Sequence, residues 1–277
     1  MKKGIIWGVG GTGRRIYNML KDEMEIVCFV DCDQAKWGKE YDGLKILSPE
    51  ELPKLEFEQV ILGTLMGYEE VQEQLKTMGI SLARFEKSYV EVSVNARKMF
   101  VKRYAERVRK EKIDGSVGEA GVYRGEFAKI INACFNDRKC YLFDTFEGFD
   151  ESDIEKEQLE SLTEAEHLRE TSEDYVYEKM PYKENIIMRK GRFPLTAEGI
   201  DDTFCFINLD MDLYQPTLEG LKFFYPRMSD GGIILIHDYF TEIYPNVEKA
   251  VDDFEREMNI KLHKMPIGDD ISLAIIK

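Results

Sequence analysis

An apolar run that breaks into glycines and continues as an amphipathic helix occurs twice in this chain, and it constrains the fold more than any other feature. The first copy is "GIIWGVGGTGRRIYNML", where Gly8, Gly10 and Gly13 separate a β pattern from a helical one. A second β pattern, "EIVCFVDCD", places Asp31 at its end, about 20 residues beyond the turn. Glycines for a tight turn, a helix N-terminus behind them and an acid at the next strand end are the layout of a nucleotide-binding βαβ unit. The same glycines also let helix and strand pack closely in units that bind nothing. Gly8, Gly10, Gly13 and Asp31 are therefore either a ligand site or a packing device.

The second copy is "GSVGEAGVYRGEFAKIINACF", and the strand "RKCYLFDTFEGF" that follows it carries Asp144 at the end of its apolar run. Further strands read as "ENIIMRKGRF", "DTFCFINLDMD" and "GGIILIHDYF", and the chain closes on "IKLHKMPIG" and "ISLAIIK". Strands alternating with helices predict a mostly parallel sheet covered on both faces. Two strands in succession at the end predict an antiparallel C-terminal edge hairpin. The fold class is thus α/β with two Rossmann-like domains, expected over 1–87 and 113–277. A helix over 88–112, with Met99, Val101, Tyr104 and Val108 on one face, is expected to connect them. An acidic insertion over 150–183 reads as a solvated helix or a substrate lid, and its His167 as a surface residue or a substrate contact.

The formal net charge of -15 argues against a nucleic-acid backbone or an anionic membrane as partner. No apolar run is long enough to span a bilayer, and the glycines come too early for a signal-peptide core. The five cysteines are scattered and odd in number, as in a reduced protein of the cytoplasm.

The chemistry-bearing residues fall at strand ends, where open α/β sheets bind ligands. Glu119 sits inside the second glycine turn, with Gly121 and Gly125. An acid there would repel a pyrophosphate and attract a cation or an amine. S-adenosylmethionine, with a sulfonium and an amino group, meets that requirement, and Asp144 would then take its ribose hydroxyls. The bland alternatives are a helix N-terminal acid for Glu119 and a turn residue for Asp144. Asp210 and Asp212 end one strand and His237-Asp238 the next. Such acids suit Mg²⁺ holding two substrate hydroxyls; without a metal, His237 or Asp210 could be a general base. Asp212 could instead cap the following helix.

The segments "GEAGVYRGEFA", "LFDTFEGF", "LDMDLYQPTLEGL", "YPRMSDGG" and "HDY" resemble the macrocin O-methyltransferase (TylF/MycF-type) family from about Ser116 to the C-terminus. The resemblance implies an S-adenosylmethionine-dependent O-methyltransferase of sugar hydroxyls, usually metal-dependent and dimeric. It implies that Glu119, Gly121 and Asp144, with Tyr123, Arg124, Thr145 and Asp210, line the cofactor site; Phe193, in "KGRFPLT" after the third strand, is either an adenine contact or part of a plain hydrophobic turn. Asp210 and Asp238 would hold the metal position, and Asp210, His237 and Asp238 the catalytic one. Where the family commonly has two consecutive acids, this chain has His237-Asp238. A softer, neutral ligand there weakens a Mg²⁺ site and favours His237 as base. The N-terminal module resembles small Rossmann-like domains of sugar-modifying enzymes, which suggests a nucleotide-linked or polymer-linked sugar, as in polysaccharide biosynthesis. Two other readings stand beside this one: a nicotinamide-dependent sugar oxidoreductase working from the first glycine turn, and a non-catalytic cofactor-binding protein.

Overall fold

The computed structural model describes residues 1–64, 68–157, 168–241 and 243–277, without the side chains of 155 and 156. The chain forms two compact units, Met1–Asn95 and Ala96–Lys277. No helix among the described residues is long and apolar enough to cross a membrane.

The first unit holds β1 (Lys3–Trp7), α1 (Gly11–Leu20), β2 (Glu25–Val30), β3 (Glu40–Tyr41), β4 (Leu44–Leu47), β5 (Gln59–Leu62), α2 (Tyr68–Thr77) and β6 (Phe85–Glu86). Its sheet runs β3-β4-β2-β1-β5-β6, parallel apart from the short β3. The first turn of α3 (Ser88–Glu111) belongs to this unit and adds Val90 to its core. Gly8 and Gly13 serve close packing: a Cβ on Gly13 would lie 1.9 Å from the Gly8 carbonyl oxygen, and one on Gly8 would lie 2.8 Å from that of Gly63.

The second unit begins inside α3, whose Val101, Tyr104, Ala105 and Val108 are buried in its core. It continues with β7 (Ser116–Ala120), α4 (Glu126–Cys134), β8 (Cys140–Asp144), α5 (Glu151–Glu157), α6 (Glu173–Lys179) and β9 (Ile186–Lys190). Then come β10 (Phe204–Leu209), α7 (Tyr214–Phe224), β11 (Met228–Ile236), α8 (Asn246–Met258), β12 (His263–Pro266) and β13 (Leu273–Ile276). The seven strands are ordered β12-β13-β11-β10-β7-β8-β9. The strands are apolar on both faces because helices cover both, and β7 and β10 are buried throughout. The expected C-terminal hairpin forms, but β13 inserts antiparallel between β11 and β12. The hairpin thus contributes one interior strand and only β12 lies at the edge.

Two local expectations change. Asp212 does not cap α7: the N-cap is Leu213, and Glu157 of α5 accepts from the Tyr214 backbone N–H instead. The insertion is not merely a solvated helix, because α5 buries two acids. Asp153 is held by Arg192 at 2.6 and 3.0 Å, and Glu157 also accepts from Asn246 at 2.6 Å. His167 lies outside the described residues.

The turn after β7 depends on Gly121. Its φ is +85°, and a Cβ there would stand 1.8 Å from the Asp210 backbone oxygen. Gly121→Ala should lower Tm by at least about 4 °C, measured by thermal unfolding. An unchanged Tm would contradict this close approach of the two strand ends.

Candidate active site

Parallel pairing of β7 with both β8 and β10, and of β10 with β11, brings the carboxyl ends of these four strands side by side. Each is followed by a non-glycine residue in left-handed backbone: Tyr123 (φ 49°), Phe146 (φ 56°), Asp212 (φ 61°) and Asp238 (φ 57°). Such conformations cost free energy and persist only where the surroundings enforce them, commonly at functional sites.

A connected set of polar side chains lies across these ends. Asn208, fully buried and paired in register with Glu119, donates from Nδ2 to Glu119 Oε1 at 2.8 Å. Its Oδ1 accepts from Arg97 Nη2 at 3.1 Å, and the same nitrogen donates to Asp210 Oδ2 at 2.9 Å. Arg97 reaches in from α3 with its guanidinium 3.8 Å from the Phe127 ring centroid. The second Asp210 oxygen lies 2.9 Å from His237 Nδ1, which is also 2.6 Å from Asp238 Oδ2.

Electrostatics divides the acids into two kinds. Burial, reinforced by the Asp210 charge, pushes the Glu119 carboxyl from its ordinary 4.5 up to about 8. Asp212 is likewise raised by burial and by the charges of Asp238 and Asp210. Burial would also raise Asp210, but the His237 and Arg97 charges outweigh it and hold that carboxyl well below the usual range. For His237, burial and Arg97 oppose the charged ring, while Asp210 and Asp238 favour it more strongly, for a net rise to about 10.

Among the described residues, the grouping of ligand atoms close enough to hold a metal is Asp210, His237 and Asp238, within 4.8 Å of one another. Its chemistry does not fit Mg²⁺, which takes octahedral oxygen ligands. One of the three donors is nitrogen, that nitrogen already bridges both carboxylates, and Arg97 neutralises the remaining Asp210 oxygen. A cationic, amine-bearing cofactor fits better. Glu119 is 2% exposed, and its Oε2 has no hydrogen-bond partner among the described residues.

Other sequence-predicted positions are occupied differently. Asp144 accepts at 2.7 Å from the backbone N–H groups of Val122, Tyr123 and Phe146, so its geometry is that of a turn-closing residue. Thr145 closes the same turn through Gly148. Tyr123 and Arg124 hold the insertion through Thr171 and Tyr175. Phe193 packs in the core, where Phe224 stacks on it and Phe143 and Phe223 meet it edge-on. In the first unit, Asp31 accepts from Val9 and Asp33 backbone N–H groups and meets Lys36, while Gly8 and Gly13 pack on one another. Only Gly10 of that motif has open space where a side chain would be. Sequence reasoning missed Arg97 and Asn208. The register opposite Glu119 could have pointed to Asn208; nothing in the basic helix marked Arg97.

A seven-stranded sheet of this order, with its polar set at the carboxyl ends, is a methyltransferase-like α/β fold. The chain belongs to the macrocin-O-methyltransferase (TylF) family, whose profile matches residues 63–270, and it is in that sense an O-methyltransferase. Residues 1–85 match the family described as C2185-like, N-terminal. The chain is similar to demethyldecarbamoylnovobiocin O-methyltransferase of Streptomyces niveus, 24% identical over 183 residues, 61% of this chain and 69% of the relative. It is also similar to 8-demethyl-8-(2,3-dimethoxy-alpha-L-rhamnosyl)-tetracenomycin-C 4'-O-methyltransferase of Streptomyces olivaceus. That identity is 26% over 151 residues, 48% of this chain and 56% of the relative. The solved O-methyltransferase NovP shares the fold with a TM-score of 0.55 at 22% identity, over 66% of this chain and 79% of that one. The calicheamicin methyltransferase CalS11 does so with a TM-score of 0.51 at 14% identity, over 82% and 89%.

The Glu119 shift fixes a sign for stability against pH. Its folded pKa, about 8, exceeds its ordinary 4.5, so its stabilisation is full below 4.5 and is lost as pH rises towards 8. Glu119→Gln removes this dependence. Its Tm relative to wild type should therefore rise steadily between pH 5 and pH 8, and parallel Tm curves would contradict the burial of an ionisable Glu119.

Proposed function

We propose that this chain transfers a methyl group from S-adenosylmethionine to a hydroxyl of a sugar-containing small molecule or glycan. The observation that carries the cofactor is the buried Glu119 oxygen beside the β7 turn, which has no partner among the described residues. S-adenosylmethionine supplies an electrophilic methyl on a sulfonium. Glu119 suits its ammonium, and an electronegative pocket suits its positive charge. Asp144 can take the ribose only by sharing oxygens that now close the turn. The acceptor class rests on the relatives, whose names describe O-methylation of demethyldecarbamoylnovobiocin and of a rhamnosyl-bearing tetracenomycin.

The protein's work in such a transfer is alignment and removal of the hydroxyl proton. Asp210 and Asp238 both engage His237 Nδ1, which leaves Nε2 as the ring nitrogen to take that proton. The two carboxylates stabilise the charged ring that results, in the manner of a carboxylate–histidine pair. With a cationic cofactor bound, His237 loses part of its preference for the charged state and is better able to start neutral.

This reading routes no step through Mg²⁺. Methylation of a glycosylated phenolic or macrolide acceptor panel, read by mass, should proceed at an unchanged initial rate after EDTA treatment. His237→Asp, which restores two consecutive acids, should make the remaining activity Mg²⁺-dependent. Loss of wild-type activity on chelation, restored by Mg²⁺, would contradict the assignment of His237. Absence of S-adenosylmethionine-dependent transfer to any acceptor, with no binding of the cofactor, would overturn the function itself.

A further inference from the structure

Two buried polar atoms of opposite character remain without partners on either side of one amide. Glu119 Oε2 is an acceptor once its carboxyl ionises, which a bound cation favours, and Arg97 Nε is a donor; neither has a hydrogen-bond partner among the described residues. Both side chains are tied to Asn208, Glu119 through Oε1 at 2.8 Å and Arg97 through Nη2 at 3.1 Å. The two unpartnered atoms therefore belong to side chains that meet at one amide. Leaving both unsatisfied is costly in a buried site.

We propose that Arg97 and Glu119 together clamp the zwitterionic α-amino-acid end of the cofactor, Glu119 accepting from its ammonium and Arg97 Nε donating to its carboxylate. The inference rests on the S-adenosylmethionine reading above and adds a binding residue from α3 to it. An α-amino acid presents a cation and an anion at close spacing, which matches an acceptor and a donor held by one amide. Arg97 is fixed for the task. Its Nη2 is committed to Asn208 and Asp210, its plane lies over Phe127, and its side chain is 14% exposed. A guanidinium anchored at one nitrogen presents another in a set direction, which a lysine could not do. The same residue joins the cofactor's amino-acid end to Asp210 and so to His237.

The test compares two nucleosides by calorimetry: S-adenosylhomocysteine, and S-adenosyl-3-thiopropylamine, which lacks only the carboxylate. Wild type should bind the first more tightly by roughly 10- to 100-fold, as for a buried hydrogen bond to a charged group. Arg97→Met should bind S-adenosylhomocysteine as weakly as the amine, with affinity for the amine retained. Retained amine binding also shows that the variant is folded. If Arg97→Met binds neither nucleoside, Arg97→Lys gives the same readout and should lower the ratio by at least about threefold. A ratio unchanged in the variants overturns the clamp and leaves the methyltransferase reading intact; a water bridging the two atoms would give that result. If neither nucleoside binds wild type, the cofactor reading fails and the clamp fails with it.

Discussion

The side-chain amide of Asn208 ties the site together. It is fully buried on β10, faces Glu119 across the β7 pairing and accepts from Arg97, which in turn holds Asp210. Through Asp210 the connection continues to His237 and Asp238 at the end of β11. A polar network in a low-dielectric interior is worth much when satisfied and costs much when broken. Among the described residues it leaves two buried atoms, Glu119 Oε2 and Arg97 Nε, without partners, and those two atoms are where a ligand of complementary charge belongs.

Strand ends this close need backbone without side chains and backbone under strain. Gly121 lets the β7 turn press on the Asp210 carbonyl, and four non-glycine residues accept left-handed conformations at successive strand ends. The packing that enforces this is aromatic and aliphatic. Phe143, Phe193, Phe204 and Phe224 fill one side of the sheet, and Tyr104, Phe135 and Phe206 the other. The acids thus gain fixed positions from a core that contains none of their chemistry.

The alternation of apolar runs, glycine turns and helices made both sheets legible in the sequence, because that pattern is local. The interior position of β13 was not legible, since pairing order is a property of the whole sheet. Glu119 could be read from the glycines beside it, although it lies at the end of β7, just before the turn, and not inside the turn as expected. Gly121, Asp144 and Phe193 drew ligand readings from their motifs, and the chain also uses them to shape turns and core, as it uses Gly8, Gly13 and Asp31 in the first unit. A sequence gives the residue type at a strand end but not the backbone groups that compete for its oxygens. Arg97 was invisible because a basic residue on a charged helix carries no signal until the helix is seen to pass over β10.

The most direct measurement is a crystal structure of the full chain with S-adenosylhomocysteine. The account predicts the nucleoside at the carboxyl end of the second sheet, with its ammonium within hydrogen-bond distance of Glu119 Oε2. A ligand bound instead at the Gly8–Gly13 turn, or one that leaves that oxygen without a partner, would contradict it.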